Sequence, residues 1–85
     1  MCFPFEKLRS RENFDIWKRH AKSYLVLRNC WKIVNLGVNQ NSTVEEIDAN
    51  ERALAEITLM MDPNNFAHIA TATSAKEAWD ALLSA

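Results

Sequence analysis

Residues 73–85 read TSAKEAWDALLSA, and they carry the clearest helix pattern in the chain. Ser74 followed by Glu77 is typical of a capping box, in which two side chains bond backbone N–H groups at the start of a helix. The apolar residues that follow keep the helical period without interruption, at Ala75, Ala78, Trp79, Leu82 and Leu83. We therefore predict an amphipathic helix whose apolar face packs against the rest of the protein.

The remaining sequence has the composition of a small helical domain. Of its 85 residues, 48% are hydrophobic and 25% are charged, which is ordinary for a globular protein. It contains one glycine and two prolines. Sheets with several tight turns usually need more residues that adopt positive φ, so this scarcity favours helices joined by polar loops. We predict a single all-α domain, a small bundle of about five helices.

The N-terminal segment is predicted to differ from the rest. Pro4 excludes a helix there, because proline lacks a backbone N–H and restricts the residue before it. Phe3 and Phe5 alternate with other residues in this segment. Residues 1–12 are therefore predicted to form an extended arm that these two aromatic side chains hold against the domain.

Residues 13–85 are predicted to form the helical domain. Asn13 is a suitable first N-cap, and Ser42 with Glu45 fits a second capping box. Gly37 is suited to end a helix, since it adopts positive φ without strain. The predicted helices span residues 13–29, 30–36, 43–61, 63–71 and 74–84.

Aromatic side chains are the most distinctive residues of this domain. We predict that they form the core, because they fall on apolar helix faces and each can bury roughly 150 to 250 Å². The residues are Phe14, Trp17, Tyr24, Trp31 and Trp79. The alternative is an exposed aromatic platform that stacks on nucleic acid bases.

Charge is distributed unevenly along the chain. Residues 1–42 carry eight basic and three acidic side chains, a net charge of +5, and residues 43–85 carry two basic and eight acidic ones, a net charge of −6. The predicted basic face consists of Lys18, Arg19, Lys22 and Arg28, and the predicted acidic face of Glu45, Asp48 and Glu56. These faces suit pairing between copies or weak contact with RNA phosphates; ordinary solvated helix faces are the alternative.

The sequence has no pattern typical of an active site. Its cysteines and histidines lie too far apart for the ligand spacing of a metal site, and one glycine cannot build a phosphate-binding loop. We expect no catalytic residue, metal or cofactor, and a protein that is not an enzyme. No stretch approaches the roughly 20 apolar residues of a membrane span, so we expect a cytoplasmic protein without membrane contact.

Two segments resemble the Gag polypeptide of copia-type LTR retrotransposons. They are KLRSRENFDIWKRHAKSYLVLRNCWKIV, residues 7–34, and ALAEITLMMDPNNFAHIATATSAKEAWDALL, residues 53–83. The shared features are an aromatic residue shortly before a helix tryptophan in ENFDIW, the segment LRNCWKIV, and an Ala-Lys-Glu-x-Trp-x-x-Leu pattern. The last pattern falls on Ala75, Lys76, Glu77, Trp79 and Leu82. The resemblance covers residues 5–83.

The resemblance implies a structural protein. Its expected fold is similar to the N-terminal domain of retroviral and retrotransposon capsids, whose copies assemble into virus-like particles around RNA. Gag proteins of this family continue into further helices and often a zinc knuckle, so the chain is expected to be either part of a longer Gag or a shortened, domesticated copy. Expected partners are the chain itself, as at least a dimer, and full-length Gag. A host adaptor that inhibits Gag assembly and a weak RNA-binding module are the alternatives.

Overall fold

The computed structural model describes residues 5–84, and within them it confirms the predicted all-α fold. The α-helices are α1 (Phe14–Leu27), α2 (Trp31–Leu36), α3 (Val44–Leu59) and α4 (Ala75–Ser84). Two 3-10 helices, Arg11–Asn13 and Pro63–Ile69, precede α1 and α4 respectively.

The fourth predicted helix differs in form from the prediction. Residues 63–71 were expected to be one helix, but the segment is a 3-10 helix that ends at Ile69. Its start is as expected, because the Asp62 carboxylate accepts a hydrogen bond from the N–H of Asn64 at 3.0 Å and Pro63 follows at the first helical position. 3-10 helices often connect α-helices, although runs longer than about four residues are uncommon.

The N-terminal arm is not extended through residue 12 as predicted. Arg11–Asn13 form a 3-10 turn, which Ser10 caps by accepting a hydrogen bond from the N–H of Glu12 at 3.2 Å. Asn13 belongs to this turn, since its Oδ1 accepts from the N–H of Ser10 and makes no capping bond to α1. Phe3 lies outside the described residues.

The capping box of α3 is displaced by one residue from the predicted pair. Thr43 Oγ1 accepts from the N–H of Glu46 at 3.1 Å, and the Glu46 carboxylate accepts from the N–H of Thr43 at 2.7 Å. Ser42 instead accepts from the N–H of Asn39 at 2.8 Å and stabilises the preceding loop. The loop before α3 is therefore stabilised by a hydrogen bond of its own, separate from the capping box of the helix.

The end of α1 is defined by a reversal at Asn29, which has a φ of 60°. The N–H of Cys30 donates to the carbonyl of Leu25 at 2.8 Å, and the N–H of Asn29 donates to that of Val26 at 3.1 Å. This pair of bonds is the Schellman pattern of helix ends. It ends the helix at Leu27, two residues before the predicted end, and directs the chain into α2.

The core lies where α2, α3 and α4 meet, with α1 packed across α2 and α3. Its members come from all four helices and from the connection after α3. The largest fully buried side chains are Trp17, Leu25, Cys30, Val34, Ile57, Met60 and Met61. Burying one large apolar side chain contributes about 1.5 to 3 kcal/mol, so this cluster makes a substantial contribution to the stability of the fold.

The arm is attached to the end of α3 through Leu8. The N–H of Leu8 donates to the carbonyl of Met60 at 3.0 Å, and the carbonyl of Leu8 accepts from the N–H of Asp62 at 2.8 Å and from Asn65 Nδ2 at 2.9 Å. The Leu8 side chain is buried in the core. Phe5 contributes a smaller, half-buried contact, so the main anchor of the arm is a residue that the sequence prediction had not singled out.

A buried asparagine joins α3 to the start of α4. Asn50 Oδ1 accepts a hydrogen bond from the backbone N–H of Ala75 at 2.8 Å. Ser74 Oγ accepts from the N–H of Glu77 at 3.1 Å, which is one half of the predicted capping box, whereas the Glu77 carboxylate bonds Thr73. The bonds that Asn50 and Ser74 accept satisfy the N–H groups of Ala75 and Glu77, which have no partner within α4 at the helix start.

Candidate functional site

A row of stacked aromatic rings connects α1, α4 and α2. Phe14 stacks on Trp17 with ring centroids 6.1 Å apart, and Trp17 stacks on Trp79 at 5.9 Å. Trp79 then meets Trp31 edge to face at 5.4 Å. Trp17 and Trp79 are buried, with 1% and 6% exposure, while Phe14 and Trp31 are half-buried. Aromatic pairs of this geometry contribute about 0.5 to 1.5 kcal/mol each beyond their buried area.

One end of this aromatic row opens into a groove between α1 and α4, which we call the basic groove. Four of its lining residues, Asp15, Lys18, Arg19 and Lys22, occupy positions i, i+3, i+4 and i+7 of α1 and therefore share one helix face. The groove has a volume of about 600 Å³ and is lined by Asp15, Lys18, Arg19, Lys22, Trp31, Trp79 and Leu83. It thus combines three cations and one carboxylate with an apolar floor.

Two of the cations in the basic groove are positioned by aromatic rings. Lys22 Nζ lies 5.0 Å from the centroid of the Trp31 ring, and Lys18 Nζ lies 5.7 Å from that of Phe14. Cation–π contacts at exposed sites contribute about 0.5 to 1 kcal/mol each. Within residues 5–84, neither lysine nor Arg19 has a carboxylate oxygen within 4.0 Å. Their charges are therefore available to an anionic partner.

Arg28 and Glu56, predicted to lie on opposite partner faces, are paired with each other inside the chain. Arg28 Nε donates to Glu56 Oε2 at 3.2 Å, and the Glu56 side chain is mostly buried. The pair joins the end of α1 to α3. The two predicted faces each lose a member to this intramolecular contact, because the fold brings together residues that lie far apart in sequence.

The Cys30 thiol is buried beside this ion pair. Burial raises its pKa above the ordinary value, and the hydrogen bond that its Sγ donates to Glu56 Oε1 at 3.3 Å raises the pKa further. Thiolates are the nucleophilic form of cysteine, so a raised pKa with no access to solvent makes Cys30 a poor nucleophile. Cys30 therefore acts as a small core residue, with 0% exposure.

The exposed face at the start of α3 carries carboxylates and apolar side chains together. Val44, Ile47, Asp48 and Glu51 occupy positions i, i+3, i+4 and i+7, and all four are exposed, Val44 at 79% and Ile47 at 47%. We call these four residues the acidic face. Glu45, which the sequence predicted with Asp48, is also exposed and lines a shallow groove against α2 on one side of this face.

Two of these surfaces contain residues that the sequence prediction had not assigned to them. Ile47 follows the apolar period of α3, a pattern typical of core residues, yet it is 47% exposed. Leu83 was expected on the apolar face of its helix and is 46% exposed at the basic groove. The spacing of Asp15 with its three basic neighbours was readable from the sequence, but the aromatic floor depends on contacts between distant helices.

Phe5 and Tyr24, predicted in the arm and in the core respectively, meet on the outer side of α1. Their ring centroids are 6.0 Å apart, and the ring of Phe5 lies 5.5 Å from that of His20. Leu27 borders this aromatic contact and is 82% exposed. Phe5, Tyr24 and Leu27 therefore form an apolar area on α1 that also includes His20 and Ser23.

Neither a metal site nor a membrane span is found in the described part of the chain. No group of three or more His, Cys, Asp or Glu side chains in residues 5–84 could hold a metal ion. None of the helices in that range combines the length and the apolar character that crossing a membrane requires. No protein-family model, curated protein or solved structure matches the chain.

Proposed function

We propose that the chain is a self-association module of Gag type, as in copia-type retrotransposons or a domesticated derivative of one, which contributes to particle assembly around RNA. The main support for this proposal is that one folded chain presents two surfaces of opposite charge. The basic groove holds three cations without carboxylate partners in residues 5–84, and the acidic face presents Asp48 and Glu51.

The form of these surfaces supports a protein partner. Each of them places charged groups beside exposed apolar side chains, Leu83 in the basic groove and Val44 with Ile47 on the acidic face. Protein interfaces combine an apolar centre with a polar rim in this way. The resemblance of residues 5–83 to copia-type Gag supports the same proposal, because Gag domains act by assembling with copies of themselves.

The experiment is sedimentation velocity of the purified chain over a concentration series that reaches about 1 mM, at low and at high salt. We expect the weight-average mass to rise with concentration at low salt, and to rise less at high salt because salt screens contacts between exposed charges. Electron microscopy of samples with added RNA should then show particles. A folded chain that stays monomeric at the highest concentration and low salt would contradict the proposal.

An adaptor that binds full-length Gag is the second candidate, and exposed apolar residues on α1 favour it. Leu27 and Val26 are 82% and 50% exposed, and among residues 5–84 the surface around them is lined by Arg19 and Lys22 and by no carboxylate. If this surface binds Gag, the purified chain should retain a full-length copia-type Gag, and Leu27→Asp should abolish the retention without unfolding α1. Retention that is unchanged by Leu27→Asp would exclude this surface.

A further inference from the structure

We propose that the basic groove of one copy receives the acidic face of α3 from a second copy, so that the chains associate head to tail. This inference rests on the proposed self-association and names the two surfaces that carry it. It identifies the occupant of the groove by chemistry: a helix face with two carboxylates and two apolar side chains. The chain itself presents such a face.

The basic groove requires an occupant that is both anionic and partly apolar. Within residues 5–84, the groove is lined by the cations of Lys18, Arg19 and Lys22 and by one carboxylate, Asp15, so this lining carries excess positive charge. Its exposed apolar surface comes from Leu83 and the half-buried ring of Trp31. A small inorganic anion would leave this apolar surface in water, whereas a helix with mixed side chains would cover it.

The acidic face matches the groove in length as well as in charge. Both surfaces are built on residues i to i+7 of a helix, from Asp15 to Lys22 and from Val44 to Glu51, a distance of about 10 Å along each axis. Carboxylates at Asp48 and Glu51 can then meet the lysines while the apolar side chains face the groove floor. Complementary charges of this kind determine the register and orientation of a contact.

Nucleic acid fits the same groove less well. Three cations can neutralise about three phosphates, which gives weak and strongly salt-dependent binding. Trp79 is almost fully buried, so Trp31 is the one ring among the groove residues of the described range 5–84 that is exposed enough to stack on a base. Asp15 would also repel a phosphate backbone that follows α1. A second copy avoids this repulsion because its face presents separate carboxylates rather than a continuous anionic chain.

Joining two different surfaces has a consequence for assembly. A head-to-tail contact leaves one groove and one acidic face free on every dimer, so further copies can add to form a chain or a ring. The two surfaces share no residue, so one copy can use both at once. Association should therefore continue past the dimer as concentration rises.

The test uses two charge-reversed variants of the full chain. The groove variant is Lys18→Glu/Lys22→Glu, and the face variant is Asp48→Lys/Glu51→Lys. Each variant alone places like charges on both surfaces, so we expect its association to weaken about tenfold or more. An equimolar mixture should recover the association, because each variant then supplies the surface that complements the other.

The matched control is Lys7→Glu/Arg11→Glu, which changes the net charge by the same amount as the groove variant at exposed positions outside the groove. We expect the control to associate as the unmodified chain does, and circular dichroism should show that all three variants are folded. If the mixture recovers the association, unfolding does not explain the weaker association of each variant alone, since two unfolded variants would not restore each other.

The outcomes separate this inference from the proposed function. If the unmodified chain associates but either reversed variant associates equally well, the inference is wrong and self-association stands on another surface. If the groove variant loses binding to a 12-nucleotide poly(U) probe while its self-association is unchanged, the groove is a nucleic acid site and the inference is also wrong. If the unmodified chain is monomeric, the proposed function itself fails.

Discussion

Trp17 is a buried core residue that contacts several elements of the fold. Its ring lies between Phe14 and Trp79, and its indole N–H donates to the carbonyl of Met60 at 2.8 Å. The same carbonyl also accepts from the N–H of Leu8. One buried side chain thus links α1, α4, the end of α3 and the arm.

Replacing Trp17 should measure this link. Trp17→Ala should lower the free energy of unfolding by about 3 to 5 kcal/mol, since it leaves a cavity at the centre of the aromatic row. Trp17→Phe keeps part of the stacking but loses one buried hydrogen bond, and should cost about 1 to 3 kcal/mol. Urea unfolding gives both values, with Ile16→Ala on the exposed side of α1 as a control that should change little. Equal losses for Ile16→Ala and Trp17→Ala would refute this role.

Cys30 should make stability depend on pH in the alkaline range. Its pKa is raised in the folded chain above the value of 9.0 that an unperturbed thiol has. The protonated thiol is therefore favoured by folding, and its contribution is complete below the unfolded pKa and lost as pH rises through the folded one. The unfolding free energy of the unmodified chain should fall relative to that of Cys30→Ala above about pH 9. A difference between the two chains that stays constant from neutral to alkaline pH would contradict the assignment.

At the scale of elements, the sequence predicts helices better than their ends. The apolar period of α3 and α4 is strong because each has a buried stripe, and both helices are found where the period places them. The start of α3 is ambiguous by one residue, since STVEE contains both a Ser-x-x-Glu and a Thr-x-x-Glu capping pattern. The loop decides between them, because Ser42 bonds the N–H of Asn39.

Contacts between elements explain the remaining differences. Asn50 reads as a polar residue on a helix, yet it is buried because the start of α4 supplies an N–H for it to bond. Arg28 and Glu56 read as members of separate charged faces, yet they form an ion pair. No local pattern reveals such partners, since they are separated by about 25 residues or more and are brought together only by packing.

The arm should behave as part of the folded domain because Leu8 connects it to the end of α3. Leu8→Ala should lower the free energy of unfolding by about 2 to 5 kcal/mol, as expected for a buried leucine. Hydrogen exchange should also accelerate at the N–H of Asp62, which bonds the carbonyl of Leu8. Lys7→Ala, at an exposed neighbouring position, is the control. If the amide hydrogens of the arm exchange freely in the unmodified chain and Leu8→Ala leaves the free energy of unfolding unchanged, Leu8 does not anchor the arm.

In the whole molecule, the basic and acidic parts of the sequence form two separate surfaces, the basic groove and the acidic face. The sequence predicts basic and acidic segments, but it does not predict that α2 and α4 contribute the indole rings of Trp31 and Trp79 to the groove that the lysines of α1 line. The sequence therefore predicts one half of the candidate site. Its charges follow from helical spacing, whereas its apolar floor follows from tertiary packing. We propose that copies of the chain associate through these two surfaces.

The indole N–H signals of the three tryptophans test association through the basic groove, because each tryptophan reports a different environment. Nuclear magnetic resonance spectra of the ¹⁵N-labelled chain should be recorded across a dilution series at low salt. We expect the Trp31 signal to shift with concentration as the groove becomes occupied, while the signal of Trp17, whose indole N–H donates to the Met60 carbonyl in the core, stays fixed. Association detected by mass with no shift at Trp31 would show that the copies associate through another surface.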